Sequence, residues 1–517
     1  MFHHFKRLFK SLGIYGLGDA ATSLLNFLLL PVYTRYLTPA EYGVIALLVV
    51  LEAVVKILFR WGVDSAFMRL YYDCSDDRSR QSLTSTIFFF MLVLNGVLVL
   101  IASGSAPWLS GWLFGTADQA NILRLAFLNI FLISFFFLPY SVLRIREQPK
   151  PVVALAFFRS ATVLVPRLVL VIGVGLGVLG VVLADLLVSV VFVVVSSKWV
   201  LPFLRVTFSK DVLRDALKFG LPKLPHGFAH NAIALSDRYL LSLFVSINQV
   251  GVYLIGATFG LALKLLLGAF DYAWAPFYLG VMKEPRAKEI YSSVTTYMFG
   301  IEALLVAGVA VASTDLVYLM TTPEYYGAAI VIPWIAVGVL FQGVYQLTSI
   351  GLTITKRTRY YPAATGIAAV VNVVSNLLLI PRYGLVGAAW ANAVSYAVLA
   401  GSAMYFSQKH YHIDYEWSRL IRITVVAVVA YAMATALVPE TLSPLFSLLL
   451  GGCIVVVTYG AGLLLLGGLT PLERRRFREW RDLVGRGDNR DDGDFSLKES
   501  VKSNPTGADV SASIRDD

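Results

Sequence analysis

Residues 151–173 read PVVALAFFRSATVLVPRLVLVIG and residues 178–197 read VLGVVLADLLVSVVFVVVSS, with only VGLG between them. Each run is long enough to cross a hydrocarbon layer about 30 Å thick. Arg159, Arg167 and Asp185 are the charges they carry. Two such runs joined by so short a connection predict a membrane hairpin, and the pattern repeats outward in both directions. Further runs lie at 11–34, 42–63, 82–103, 121–143 and 219–244, then at 249–279, 290–312, 327–350, 361–380, 384–406, 418–438 and 443–467. The sequence thus predicts an all-α polytopic membrane protein with about fourteen transmembrane helices.

Composition agrees. The 517 residues are 57% hydrophobic and 15% charged, against roughly 25% charged in soluble domains. The net charge of +10 does not point to nucleic acid, because the basic residues are confined to alternate loops. One set of loops holds Lys6, Arg7 and Lys10; Arg69, Arg78 and Arg80; Arg144, Arg146 and Lys150; Lys198, Arg205, Lys210, Arg214 and Lys218; Lys283, Arg286 and Lys288; and Lys356, Arg357 and Arg359. The opposite set has little beyond Arg35 and Arg382. Positive charge stays on the cytoplasmic side during insertion, so both termini are expected there. The basic start MFHHFKRLFKS precedes a run containing Asp19 and Asn26, which reads as a retained first span rather than a cleaved signal. After the last span, PLERRRFREWRDLVGRG is expected to lie as an amphipathic helix on an anionic leaflet. A disordered tail follows from about residue 485 to 517.

The chain repeats itself. RYLTPAEYGV from Arg35 matches RYLLSLFVSINQVGV from Arg238, placing Gly43 on Gly251 and Lys56 on Lys264, 208 positions apart. VLGVVLADLLVS around Gly180 matches LVGAAWANAVS around Gly387, displaced by 207. Two matches at nearly one offset imply two parallel-related six-helix lobes, at 1–216 and 217–408. An accessory helix pair at 409–470 and a cytoplasmic segment at 471–517 complete the chain. Paired lobes of this kind enclose a central site.

An ionised side chain at bilayer depth costs about 2.5–3.5 kcal/mol on insertion scales unless it faces protein or a water-filled cavity. Glu52, Lys56, Arg60 and Asp64 recur every fourth residue and so fall in one line on a helix. Their expected roles are an internal ion-pair ladder and a cavity wall. Arg159 and Lys264 add positive charge within other spans, and a cationic cleft of this kind attracts an anion. Polar pairs one turn apart add candidate cavity positions: His226 with His230 and the adjoining Asn231, Gln342 with Gln346, and Asn372 with Asn376. Amides also serve interhelical packing. Asp19, Glu52, Asp185 and Glu302 are candidate proton or cation carriers. His226 and His230 lack further ligands, so no metal site is expected. Cys74 and Cys453 suggest neither a disulfide framework nor a metal cluster. GLGVLG, residues 175–180, formally fits a dinucleotide fingerprint, but it joins two spans and reads as a tight turn. No ATP-binding or familiar hydrolase motif is found, so neither an enzyme nor a cofactor is expected.

LLPVYTRYLTPAEYGVIALL, from Leu29 to Leu48, resembles the first-hairpin signature of bacterial oligosaccharide (O-antigen) flippases. FGLPKLPHGFAHNAIALSDRYLLSLF, from Phe219, resembles their seventh helix, and GLVGAAWANAVSY, from Gly384, their twelfth. The resemblance implies alternating-access export of an undecaprenyl-diphosphate-linked oligosaccharide across the bacterial cytoplasmic (inner) membrane, coupled to protons or sodium. It places the chain in lipopolysaccharide or exopolysaccharide synthesis, beside membrane lipids, glycosyltransferases and a polysaccharide polymerase. The simplest members have twelve spans, whereas lipid II flippases have fourteen and use the extra pair to hold the lipid tail. A lipid II substrate is therefore an alternative, as is a cation-coupled drug antiporter, although the basic excess here opposes cationic substrates. A membrane polymerase or ligase generally needs a large outer loop, and the longest here, Gly104 to Ala120, is short.

Overall fold

The computed structural model describes residues 27, 29–74, 76–146, 148–439 and 441–466. Asp19, most of the first expected span, the side chains of His226 and His230, and the segment expected to form the amphipathic helix and tail lie outside the described residues. Ten helices among the described residues are long and apolar enough to cross a membrane. The protein is thus an all-α, multi-pass membrane protein.

In chain order the α-helices are α1 (Leu30–Tyr36), α2 (Pro39–Arg60), α3 (Val63–Asp73), α4 (Asp77–Gly104), α5 (Ala106–Phe114), α6 (Ala120–Ser134), α7 (Phe137–Ile145), α8 (Pro149–Leu168), α9 (Gly177–Val200) and α10 (Lys210–Gly220). Then come α11 (Leu224–Ser242), α12 (Ile247–Leu261), α13 (Lys264–Val281), α14 (Ala287–Met320), α15 (Ile332–Thr348), α16 (Ile350–Ile354), α17 (Tyr360–His410), α18 (Trp417–Leu437) and α19 (Pro444–Leu465). The 51-residue α17 breaks at Gly384 (φ 53°, ψ −126°), so it contains both spans expected at 361–380 and 384–406.

Local chemistry explains the start of α2. Thr38 accepts from the Glu41 amide at 3.3 Å, and Glu41 Oε2 accepts from the Thr38 amide at 2.8 Å. With Pro39 in the first turn, this capping box fixes where the helix begins. The far end differs from the single expected span at 42–63. Trp61 (φ 49°) and Gly62 (φ 68°) are left-handed, after which the chain resumes as α3. Gly62 tolerates that conformation, and its bareness admits Gly220, where an added Cβ would lie 2.7 Å from the Trp61 carbonyl oxygen.

Two other expectations change. The stretch 104–120 is not a plain loop but contains α5, whose exposed Trp108 and Trp112 stack with ring centroids 6.5 Å apart. Such rings suit a membrane interface. The basic connection after α9 contains α10, started by Ser209, whose side chain accepts from the Val212 amide at 3.4 Å. GLGVLG is a turn, with Gly175 (φ 75°) and Gly177 (φ 53°) both left-handed.

The repeat-related glycines do matching work. Gly43 of α2 sits against Ile247, while Gly251 of α12 sits against Pro39 and Gly43. Pro39 and Ile247 are also 208 positions apart, so this helix crossing maps onto itself. Gly180 packs on the Leu170 backbone, and Gly387 likewise on the backbone of Leu379 and Ile380. Gly251→Val is expected to cost about 1–3 kcal/mol by overpacking the crossing. Gly96→Ala, where nothing lies within 4 Å, should be neutral. Thermal denaturation of the detergent-solubilised protein checks both.

Near the C-terminal end of the described residues, α18 and α19 pack with α14. Tyr459 donates to the Gly300 carbonyl oxygen at 2.7 Å and Ser447 to Asp315 Oδ2 at 2.7 Å. Ala303, Ala307, Ile423, Ala430 and Val455 fill the contact.

Candidate functional site

The four-residue spacing on α2 brings its charges into register. Lys56 Nζ lies 3.1 Å from Glu52 Oε1, and Arg60 Nη1 lies 3.5 Å from Asp64 Oδ2, across the Trp61–Gly62 break. Lys56, Arg60 and Asp64 line a cavity of about 880 Å³, whose other walls come from α6, α7 and α8 and include Arg144 and Arg159. A second cavity of about 590 Å³ shares Lys56, Arg60 and Asp64 and adds Glu52 and, from α11, Asn231. Asn231 Nδ2 donates to the Ala53 carbonyl oxygen at 3.4 Å, which attaches α11 to α2.

These cavity walls carry more positive than negative charge, with Lys56, Arg60, Arg144 and Arg159 against Glu52 and Asp64. Arg60 and Arg159 are close enough to repel each other. The Arg60 Nε–H is buried and has no acceptor among the described residues. Arg159 sits 4.8 Å over the Phe136 ring and makes no ion pair among the described residues. The aromatic face fixes its position and leaves its donors unclaimed by any carboxylate. Chemically, this arrangement can receive an anion with several oxygens.

The remaining candidates fall elsewhere. Lys264 lies 5.5 Å over the Tyr396 ring, within electrostatic reach of Asp237 and Arg238 rather than in the Arg159 cavity. Asn372 and Asn376 are fully buried: Ser236 donates to Asn372 Oδ1 at 2.6 Å, and Asn376 Nδ2 donates to the Asn372 carbonyl oxygen at 2.9 Å. They join α11 to α17. Asp185 accepts a two-pronged bond from Arg167, with Nε–Oδ1 at 2.9 Å and Nη2–Oδ2 at 2.8 Å. Gln346 bonds Asp271, Gln342 keeps a buried oxygen without a donor among the described residues, and Glu302 is buried on α14. No group of three or more His, Cys, Asp or Glu among the described residues is placed to hold a metal ion.

Residues 32–269 match the family described as "Polysaccharide biosynthesis protein". The architecture is similar to the lipid II flippase MurJ in an inward closed conformation, with TM-score 0.68 and 16% identity over 94% of this chain and all of that one. An inward-facing multidrug-resistance MATE transporter of the MOP superfamily also shares the fold, at TM-score 0.61 and 16% identity over 80% of this chain and 96% of that one. A MOP superfamily transporter from Pyrococcus furiosus, described as having a binding pocket of reverse polarity, matches at TM-score 0.57 and 17% identity, over 80% of this chain and 96% of that one. In sequence, 261 residues are 21% identical to an uncharacterized membrane protein, MJ1068, of Methanocaldococcus jannaschii. That alignment covers 47% of this chain and spans about half the length of the relative, 49%.

Two charged residues were not picked out from the sequence. Asp237 is 3% exposed and accepts from the Tyr253 hydroxyl, whereas the sequence reading of the same stretch singles out its neighbour Arg238. Arg238 is itself buried. Arg144, which reads as one more cytoplasmic loop charge, lines the cavity that also holds Arg159. Its place near Arg159 in sequence, separated by a short loop and about three turns of α8, is the signal that points to it.

Proposed function

We propose that this protein is a flippase that moves an undecaprenyl-diphosphate-linked oligosaccharide from the inner to the outer leaflet of a bacterial cytoplasmic membrane by alternating access. The observation that carries the proposal is the cavity on α2, where Arg60 and Arg159 repel each other and Arg159, unlike Arg60 with its Asp64 at 3.5 Å, has no carboxylate partner among the described residues. A diphosphate supplies the missing negative charge, and the planar guanidinium of Arg159 suits paired phosphate oxygens. Lys56 adds diffuse attraction, and Asn231 can meet sugar hydroxyls. The family described for residues 32–269 supports glycan chemistry, and the two-lobed transporter folds it resembles support movement across a bilayer. Both termini then face the cytoplasm, with residues 1–216 and 217–408 as the two moving lobes.

An apolar groove of about 860 Å³ between α14, α15 and α18, lined by Phe299, Ala307, Ala310, Trp334, Val428 and Tyr431, fits the prenyl tail. This gives α18 a part in substrate holding. Ala310→Trp is expected to fill the groove and slow transport of a long-chain prenyl substrate severalfold more than that of a short-chain analogue, in the same liposome assay.

Lipid II is a second reading, favoured by the match to MurJ over 94% of this chain. Both readings are tested in proteoliposomes loaded with fluorescent lipid-linked glycans. The flippase proposal requires protein-dependent translocation of an oligosaccharide diphospholipid under a proton or sodium gradient. Translocation of lipid II alone would replace it with the second reading, and no translocation of either would sink both.

A further inference from the structure

The two ends of the broken helix α17 come back together at one place in the fold. Tyr360 opens its first half and stacks on Phe406, near the end of its second half, with ring centroids 5.0 Å apart. The His410 ring lies 4.9 Å from the same tyrosine. Arg359 lies over the Tyr360 ring at 5.1 Å and donates from Nη2 to the Tyr360 hydroxyl at 3.2 Å. Arg357 and Lys409 also act on that hydroxyl through their charge. The turn before α17 is tight, with Lys356 left-handed (φ 58°) and the Arg357 amide donating back to the Leu352 carbonyl oxygen at 2.8 Å. Arg357, Arg359 and Lys409 are all exposed, so two distant segments present three cations around one ring.

None of the three forms an ion pair among the described residues. The basic residues of α3 and α4 differ, with Arg69 paired to Asp73 and Arg80 to Asp77. Retention of positive charge during insertion accounts for basic loops in general, but not for cations gathered from both ends of a helix onto one aromatic stack. Along the first half of α17, Ile367, Val370, Val374 and Leu378 are exposed. Their spacing of three or four residues puts them in one apolar stripe. The half-helix from Tyr360 to the break is about 30 Å long, enough to cross a hydrocarbon layer. The cations therefore stand at the end of a lipid-facing stripe, at headgroup level.

We propose that Arg357, Arg359 and Lys409 hold the phosphate of an anionic phospholipid whose acyl chains lie along the stripe from Ile367 to Leu378. The two guanidinium groups donate charge-assisted bonds to phosphate oxygens, and the Lys409 ammonium adds a point charge. A zwitterionic headgroup brings an ammonium of its own, which the three cations repel, so a net negative lipid is preferred. The stripe leading away from the cluster favours a lipid over a free phosphate ion. The aromatic rings of Tyr360 and Phe406 suit the same interfacial depth. Binding here involves none of the residues lining the cavity on α2 and needs no glycan, so it stands or falls apart from the transport reading.

The test is native mass spectrometry of the purified full-length protein in detergent, titrated with phosphatidylglycerol or with phosphatidylcholine of the same acyl chains. Phosphatidylglycerol is expected to bind about tenfold more tightly. Replacing Arg357, Arg359 and Lys409 together by glutamine should weaken that binding by about tenfold to a hundredfold. A control takes the same charge from α10, where Lys210, Arg214 and Lys218 are equally exposed. Lys210→Gln, Arg214→Gln and Lys218→Gln together should leave the affinity within about twofold of the wild type. Thermal denaturation shows that both variants fold. Equal affinity of the wild-type protein for the two lipids would overturn the proposal whether or not the variants fold. Equal losses in the two triple variants would mean attraction to net charge alone and also overturn it. Complete displacement of phosphatidylglycerol by inorganic phosphate would identify a free-anion site in place of a lipid site.

Discussion

Replacing Arg159 with alanine is expected to weaken binding and transport of a diphosphate-linked glycan by about tenfold to a hundredfold, the loss of a charge-assisted bond pair. The substitution is clean because Arg159 makes no ion pair among the described residues. Its removal therefore orphans no carboxylate, and folded yield should change little. Lys56→Ala differs, since it frees Glu52, its partner at 3.1 Å, to push anions away as well as removing a charge. Arg159→Lys should recover only part of the loss, because an ammonium cannot offer the planar fork and stacks less well on the Phe136 ring. The cationic cavity also predicts salt sensitivity, although less than at an exposed surface. Binding to detergent-solubilised protein and transport in proteoliposomes are the measurements. Unchanged values for both Arg159→Ala and Lys56→Ala would remove the basis for the proposed function. Tighter binding of a cationic drug to Arg159→Ala, without loss of glycan transport, would point to an antiporter.

The sequence made the helices legible because lipid imposes a simple demand: long apolar runs that bond their own backbone. The ladder on α2 was equally legible, since a spacing of four leaves little choice about which residues share a face. What it could not reveal was which faces meet. Lys264 corresponds to Lys56 in the repeat, yet it lies beside Tyr396 and the Asp237–Arg238 pair, while Lys56 opens on a cavity. Asn372 and Asn376 have the same spacing as Gln342 and Gln346, but they bond to Ser236 and to each other. Only the neighbouring helix decides between these fates. The break at Trp61 was also hidden, because a left-handed tryptophan follows no residue-type rule. Gly62 beside it gives the one local hint.

Arg167 and Asp185 are expected to show the largest stability effect. They stand on α8 and α9 and close the hairpin through two bonds of 2.9 and 2.8 Å, with Tyr33 of α1 also acting on Arg167. Removing one partner leaves an unpaired charge at membrane depth, so Arg167→Ala or Asp185→Ala alone should cost about 3 kcal/mol or more. The double replacement should cost much less than the two losses added together, because neither charge is then stranded. Fluorescence-detected size exclusion after graded heating measures this non-additivity. The same variants test whether Asp185 carries an ion. A carboxylate held by an arginine fork on both oxygens has little capacity left for a transported cation, so the double variant should keep gradient-driven transport per folded molecule. If transport survives but loses its dependence on the gradient, Asp185 is a coupling group and the ion pair is its resting state. If the double variant is no more stable than either single one, the fork does not hold the hairpin together.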